Sequence, residues 1–282
     1  MPQNRPDTRG IVAPTALLTR VRLRHHQPAE PLRRHVEHYW FIDWDLPEPY
    51  VSNVLPHPSV HLTFQQDDAD QPPYGELTGV AAPGLYTRKI HGRGRVCGVK
   101  FRPGAFRPFA PDAPVSEWTG RVLPYEEVFP ATDPAAILSP TDTTDTTDTT
   151  DTTDSTDDAG RIAALDAYLL PLAPTAPDPQ AELAIGLVDR IRADRGVRRV
   201  ADFARAEGMT VRSLQRLFHA YVGVSPKWCI LRYRIHEAVE TAAARRDIDW
   251  AALAADLGYA DQAHLVRDFT STVGVPPTAY AG

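Results

Sequence analysis

The sequence predicts an α+β multidomain chain, with a β-rich, sandwich- or barrel-like N-terminal half and an all-α C-terminal half. Three observations carry this prediction. A stretch near the C-terminus is written twice: Leu214, Arg216, Phe218, Gly223 and Pro226 recur 51 residues later as Leu265, Arg267, Phe269, Gly274 and Pro277. Short apolar runs broken by Pro, Gly and Asp fill the region from about Val21 to Phe129, as strands do. Between the two halves, Thr-Thr-Asp triplets run from Thr141 to Asp158 with no apolar residue to bury, the composition of a solvated spacer.

Composition narrows the classes. A chain of 282 residues, 43% hydrophobic, is long enough for two domains with cores of their own. It holds no apolar run of about 18 residues to span a bilayer, and MPQNRPDTRG lacks the apolar core of a signal peptide, so a cytoplasmic protein is expected. Cys97 and Cys229 lie far apart in sequence, which argues against a disulfide framework and against a cysteine zinc site. The net charge of −6 is unevenly placed. Residues 180–246 carry 13 Lys/Arg against 7 Asp/Glu, whereas residues 247–282 carry 1 against 5. Phosphate attraction is therefore expected to be concentrated on the first copy of the repeat.

In chain order, residues 1–18 are polar and aperiodic and are expected to be disordered. A β-rich sensor or dimerisation domain is expected over 19–138, with strands at Tyr39–Trp44, Val60–Phe64 and Val96–Phe101. A disordered Thr/Asp-rich linker is expected over 139–159, then a connecting helix and hinge over 160–179. The hinge is proline-rich, and the helix before it carries Ile162, Leu165 and Leu169 on one face. From residue 180 to 282 the pattern is helical. Leu183, Leu187 and Ile191 form one stripe ended by Gly196, and Arg198–Ala206 forms the next helix. Thr210 is placed to cap a helix carrying Val211–His219. A long helix from about Pro226 to Arg245 buries Ile230, Ile235, Ala238 and Ala242, and Asp249–Leu257 and Asp261–Thr270 repeat the short pair. Each copy thus reads as helix, glycine turn (Gly208, Gly258) and second helix, the helix-turn-helix pattern.

In that pattern the second helix enters the major groove. Leu214, Leu217 and Phe218 face the core by their spacing, leaving Arg212, Gln215 and Arg216 outward. Leu265, Val266 and Phe269 are the buried set of the second copy, leaving Gln262, His264 and Arg267 outward beside Ala263. Arg pairs with guanine and Gln with adenine through two hydrogen bonds each, so these side chains suit base readout.

The diagnostic residues Gly258-Tyr259, Asp261-Gln262, His264-Leu265, Arg267, Phe269, Gly274 and Pro277, with their counterparts in the first copy, resemble the AraC/XylS family of bacterial transcription regulators. The resemblance implies two helix-turn-helix units joined by the long helix, with Arg212, Gln215, Arg216, Gln262, His264 and Arg267 at the DNA-contacting places. It also implies double-stranded promoter DNA as partner, with RNA polymerase, a small-molecule effector and a second copy of the chain as further candidate partners, and it leaves an activator and a repressor both open. The N-terminal half resembles the β-rich domain fused to a subset of these regulators through Tyr39-Trp40, LPHPSVHLTF (55–64) and GVKFRPGAF (98–106), and is expected to be cupin-like or barrel-like. No catalytic residue, cofactor, metal or membrane partner is expected. The rival is a metal-binding cupin-type enzyme or sensor using His57 and His61, which lie four apart on an extended segment.

Overall fold

Among the described residues, the N-terminal half forms seven strands in one antiparallel sheet: β1 (Ile11–Val12), β2 (Val21–His26), β3 (Val36–Val54), β4 (His61–Gln66), β5 (Tyr74–Thr78), β6 (Tyr86–Phe101) and β7 (Val122–Pro124). The computed structural model describes residues 8–80, 84–139, 153–244 and 247–280. The sheet order is β1-β3-β6-β4-β5-β7, with β2 also on β3. Strand β3 pairs with β6 from Val36/Phe101 to Val54/Tyr86 and is irregular between Leu46 and Tyr50. Pro47 and Pro49 lie in that interval, and a residue without an N–H cannot continue a ladder.

Period-two alternation gives the sheet two different faces. Tyr39, Phe41 and Asp43 of β3 point to one, joined by Cys97, Val99 and Phe101 of β6 and Leu62 and Phe64 of β4. Trp40, Ile42 and Trp44 point to the other. There Trp40 lies opposite Gly98 and Trp44 opposite Gly94. A Cβ at either glycine would come within 2.0 to 2.3 Å of the facing indole, so the tryptophans lie across the strand only because those two residues have no side chain.

The helices are α1 (Pro14–Leu18), α2 (Pro134–Leu138), α3 (Thr153–Leu169), α4 (Pro179–Ala193), α5 (Val200–Ala206), α6 (Val211–Tyr221), α7 (Pro226–Ala244), α8 (Trp250–Asp256), α9 (Gln262–Val273) and α10 (Pro277–Tyr280). Helix α3 covers the first face of the sheet through Leu165 and Leu169. Polar contacts fasten it. Arg161 is almost fully buried and bridges Asp43 at 3.1 Å and Asp157 at 2.6 Å. Asp158 receives Arg24 at 2.6 Å and His26 at 3.1 Å, and Tyr39 donates to Asp166 at 2.8 Å.

Three expectations are corrected here. The tail expected to be disordered over 1–18 contains β1, paired to β3, and α1, whose Leu17 is buried; residues 1–7 lie outside the described set. The linker expected over 139–159 is helical from Thr153, because Asp157 and Asp158 find basic partners; residues 140–152 lie outside the described set. In α4 the buried stripe is Ala184, Leu187, Val188 and Ile191, while Leu183 is exposed. The turn at Gly104 (φ +88°) comes so close to Ala184 and Ile185 that a side chain on the turn would press on the helix backbone.

One apolar core runs from Phe41, Phe64 and Phe101 of the sheet through Leu187 of α4 to Phe203, Leu214 and Phe218 of α5 and α6. A second joins Ile235 and Val239 of α7 to Leu257, Leu265 and Phe269, and takes in Leu55 from the sheet domain. Cys97 and Cys229 are both free and buried.

Burial alone would raise the Asp158 carboxyl, but hydrogen bonds from His26 and Arg24 outweigh it and hold the group well below the ordinary carboxylate range. Its folded pKa is below the unfolded value of about 3.9, so the charge stabilises the docked α3 above that pH and the contribution is lost as pH falls further. Asp158→Asn is expected to cost about 1–3 kcal/mol in urea unfolding at pH 7. The gap to the parent chain should narrow between about pH 4 and pH 2; a gap that stays constant with pH would contradict the assignment.

Candidate nucleic-acid interface

Helix α5 is short and buries Phe203 and Ala204. The chain then turns through Gly208 at φ +67°, a conformation glycine adopts without penalty. The Thr210 hydroxyl accepts from the Ser213 N–H at 3.1 Å, so the predicted cap starts α6. Leu214, Leu217 and Phe218 are buried on one side of α6, and Arg212, Gln215 and Arg216 are exposed on the other. All three side chains anticipated from the sequence therefore share one solvent face of one helix.

The far end of α6 is clamped by the sheet domain. Thr119 donates its hydroxyl to the Gly223 carbonyl at 2.7 Å, and Ser116 lies 2.9 Å from the His219 ring. Gly223 (φ +87°) sits against Thr119 and Val115, where a Cβ would come within about 3 Å of both. These contacts join residues about a hundred apart and leave no local signal in the sequence. They fix the C-terminal end of the helix, while Arg212, Gln215 and Arg216 nearer its N-terminal end stay exposed.

Helix α7 serves both units. Cys229 and Ile230 enter the first core, and Ile235, Ala238 and Val239 enter the second. Arg234 donates to the carbonyls of Val197 and Arg198 at 3.3 and 3.2 Å, tying α7 to the segment before α5.

The second unit repeats the plan with acidic caps. Asp249 receives the Ala251 and Ala252 N–H groups at the start of α8, and Asp261 receives the His264 N–H at 2.7 Å at the start of α9. Leu265 and Phe269 are fully buried, with Val266 only partly so. Gln262, Ala263 and Arg267 are exposed. His264 is half-buried, with its ring edge-on to Tyr259 and 3.8 Å from Asp268. A ring held on its own helix in this way is less available to a base than the three side chains of α6.

The described residues contain no group of three or more His, Cys, Asp or Glu placed to hold a metal. His57 precedes β4 rather than lying in it, and its ring stacks on His236 of α7 at 3.9 Å between centroids. His61 is the first residue of β4, and both histidines line one cavity on the tryptophan face of the sheet.

Among known families, residues 24–124 match one described as a domain of unknown function (DUF6597), and residues 203–282 match one described as a helix-turn-helix domain. No curated protein matches the chain. The solved structures it resembles include ToxT from Vibrio cholerae, at 11% identity and a TM-score of 0.42, covering 93% of this chain and 98% of that one. They also include unsaturated fatty acid bound wild-type ToxT from Vibrio cholerae strain SCE256, at 12% identity and a TM-score of 0.39, covering 93% and 95%.

Thr210→Ala is expected to cost about 1 kcal/mol of stability, the usual loss of a side-chain cap. Hydrogen exchange should speed up at the amides of Ser213 and its neighbours. Unchanged exchange there would mean that α6 does not depend on the cap.

Proposed function

We infer how DNA is held from one premise: this chain is a DNA-binding transcription regulator whose C-terminal domain is an AraC-type helix-turn-helix domain. The observation that carries the inference is the α6 face, where Arg212, Gln215 and Arg216 stand exposed on a helix anchored at its other end. In this reading α6 enters a major groove and those three side chains contact bases and phosphates. Helix α9 enters a second groove with Gln262, His264 and Arg267. The charge split supports unequal roles, because residues 247–282 carry a single Lys/Arg against 5 Asp/Glu. The first unit supplies most of the affinity and the second adjusts register.

The site of action is then cytoplasmic, and no helix among the described residues is long and apolar enough to cross a membrane. Occupancy of a promoter requires no bond-making chemistry. RNA polymerase and a second copy of the chain belong to the proposed partner set through the family resemblance alone. Modulation by the N-terminal domain has structural support, since the Ser116–Thr119 clamp sits directly on the reading helix.

The test begins with a duplex selected from a random pool by the full-length protein. Arg216→Ala should weaken binding to it by about 1–3 kcal/mol if the guanidinium pairs with a base. Unchanged affinity would remove Arg216 from the interface. Affinity should also fall steeply with salt, and Arg212→Ala should flatten that dependence by about one phosphate contact. Equal flattening by Arg267→Ala would contradict the unequal roles.

A further inference from the structure

Val211 opens α6 and is 37% exposed. Among the described residues it is the one large apolar side chain exposed on either α6 or α9. A lone exposed valine is ordinary on most of a protein surface. This one stands at the end of the helix that carries Arg212, Gln215 and Arg216. Helix stability does not call for it, because valine, confined to one rotamer by its branched Cβ, is a weaker helix former than alanine or glutamine.

The repeat supplies an internal comparison. In the second unit the place of Val211 is taken by Gln262, 51 residues on, and Gln262 is exposed as well. Both helices start from the same cap geometry. The Ser213 N–H donates to the Thr210 side chain at 3.1 Å, and the His264 N–H donates to Asp261 at 2.7 Å. The fold therefore accepts a polar residue at this place, and packing does not impose the apolarity of Val211.

The surroundings of Val211 point to what would cover it. Gln215 stands one turn further along the same stripe, and Arg212 and Arg216 form the adjoining stripe, all of them exposed. The hydroxyls of the first turn are engaged with that turn itself: Thr210 donates to Ser213 at 3.0 Å, and Ser213 donates to the Thr210 carbonyl at 2.9 Å. What the turn presents is thus a pair of methyl groups held in one rotamer beside an amide and two guanidinium groups. In the major groove the apolar feature of the base edges is the 5-methyl group of thymine. We propose that Val211 is a specificity-determining residue that packs on the 5-methyl group of a thymine. Four residues of helix rise about 6 Å, which places this thymine roughly two base-pair steps from the base taken by Gln215. This role rests on the entry of α6 into a major groove proposed above.

The test uses the full-length protein and the selected duplex, with each thymine replaced in turn by uracil, which pairs identically and lacks only the methyl group. Uracil at one position should weaken binding about threefold to fivefold, the worth of burying one methyl group. Val211→Ala should bind the thymine duplex more weakly by a similar factor, and should bind the uracil duplex as tightly as the parent chain does. Val211→Gln, which installs the residue of the equivalent place in the second unit, should also fail to distinguish thymine from uracil there. The assignment is overturned if no thymine methyl counts for the parent chain, or if Val211→Ala keeps every uracil penalty in full. Equal weakening of Val211→Ala on the thymine and uracil duplexes also overturns it, since Val211 would then support the helix without reading a base. Failure of the parent chain to select any duplex counts instead against the proposed function.

Discussion

The shared apolar core is the constraint on which the rest depends. Helices α5 and α6 have 7 and 11 residues, too short to be stable in isolation. Phe203, Leu214 and Phe218 are held because they pack into the same cluster as Leu187 of α4 and the Phe41, Phe64 and Phe101 face of the sheet. The attitude of α6 is therefore set by the N-terminal domain as well as by its own unit. Helix α7 extends this order to the second unit, since one end lies in each core.

That arrangement gives the two faces of the sheet different tasks. The face toward α3 is dense with aromatic contacts, such as Phe64 against Tyr125 at 5.2 Å and Phe101 against Phe106 at 5.0 Å, and it is closed by the ion pairs of Arg24, Asp43, Asp158 and Arg161. The opposite face keeps a chamber because two glycines let two indoles lie flat. A sheet with side chains at Gly94 and Gly98 could not seat those rings in the same place. Alternation along β3 thus separates a structural side from a side with room in it.

The helical half was largely legible in the sequence because its determinants are local. The buried residues Leu214, Leu217 and Phe218, the Thr210 cap and the α7 stripe all follow from spacing within one or two turns. The exposure of Arg212, Gln215 and Arg216 follows from the same spacing. What was not legible depends on partners distant in the chain. Asp157 and Asp158 read as the end of a solvated acidic run until Arg24, His26 and Arg161 are placed beside them. His57 paired on paper with His61, whereas its ring partner lies on α7. Leu183 looked like a core residue by hydrophobicity, yet it is exposed and its neighbour Ala184 is the buried one, beside the Gly104 turn.

The contact between the Gly104 turn and α4 bears on how such chains are inherited. The backbone of Ile185 and the side chain of Ala184 lie within about 3 Å of where a Cβ on Gly104 would sit. A side chain at Gly104 would therefore have to displace the α4 backbone, encoded 80 codons further along. Recombination that exchanged only one half would part the glycine from the helix it admits. Lineages that shuffle these domains should keep the glycine wherever α4 packs this closely.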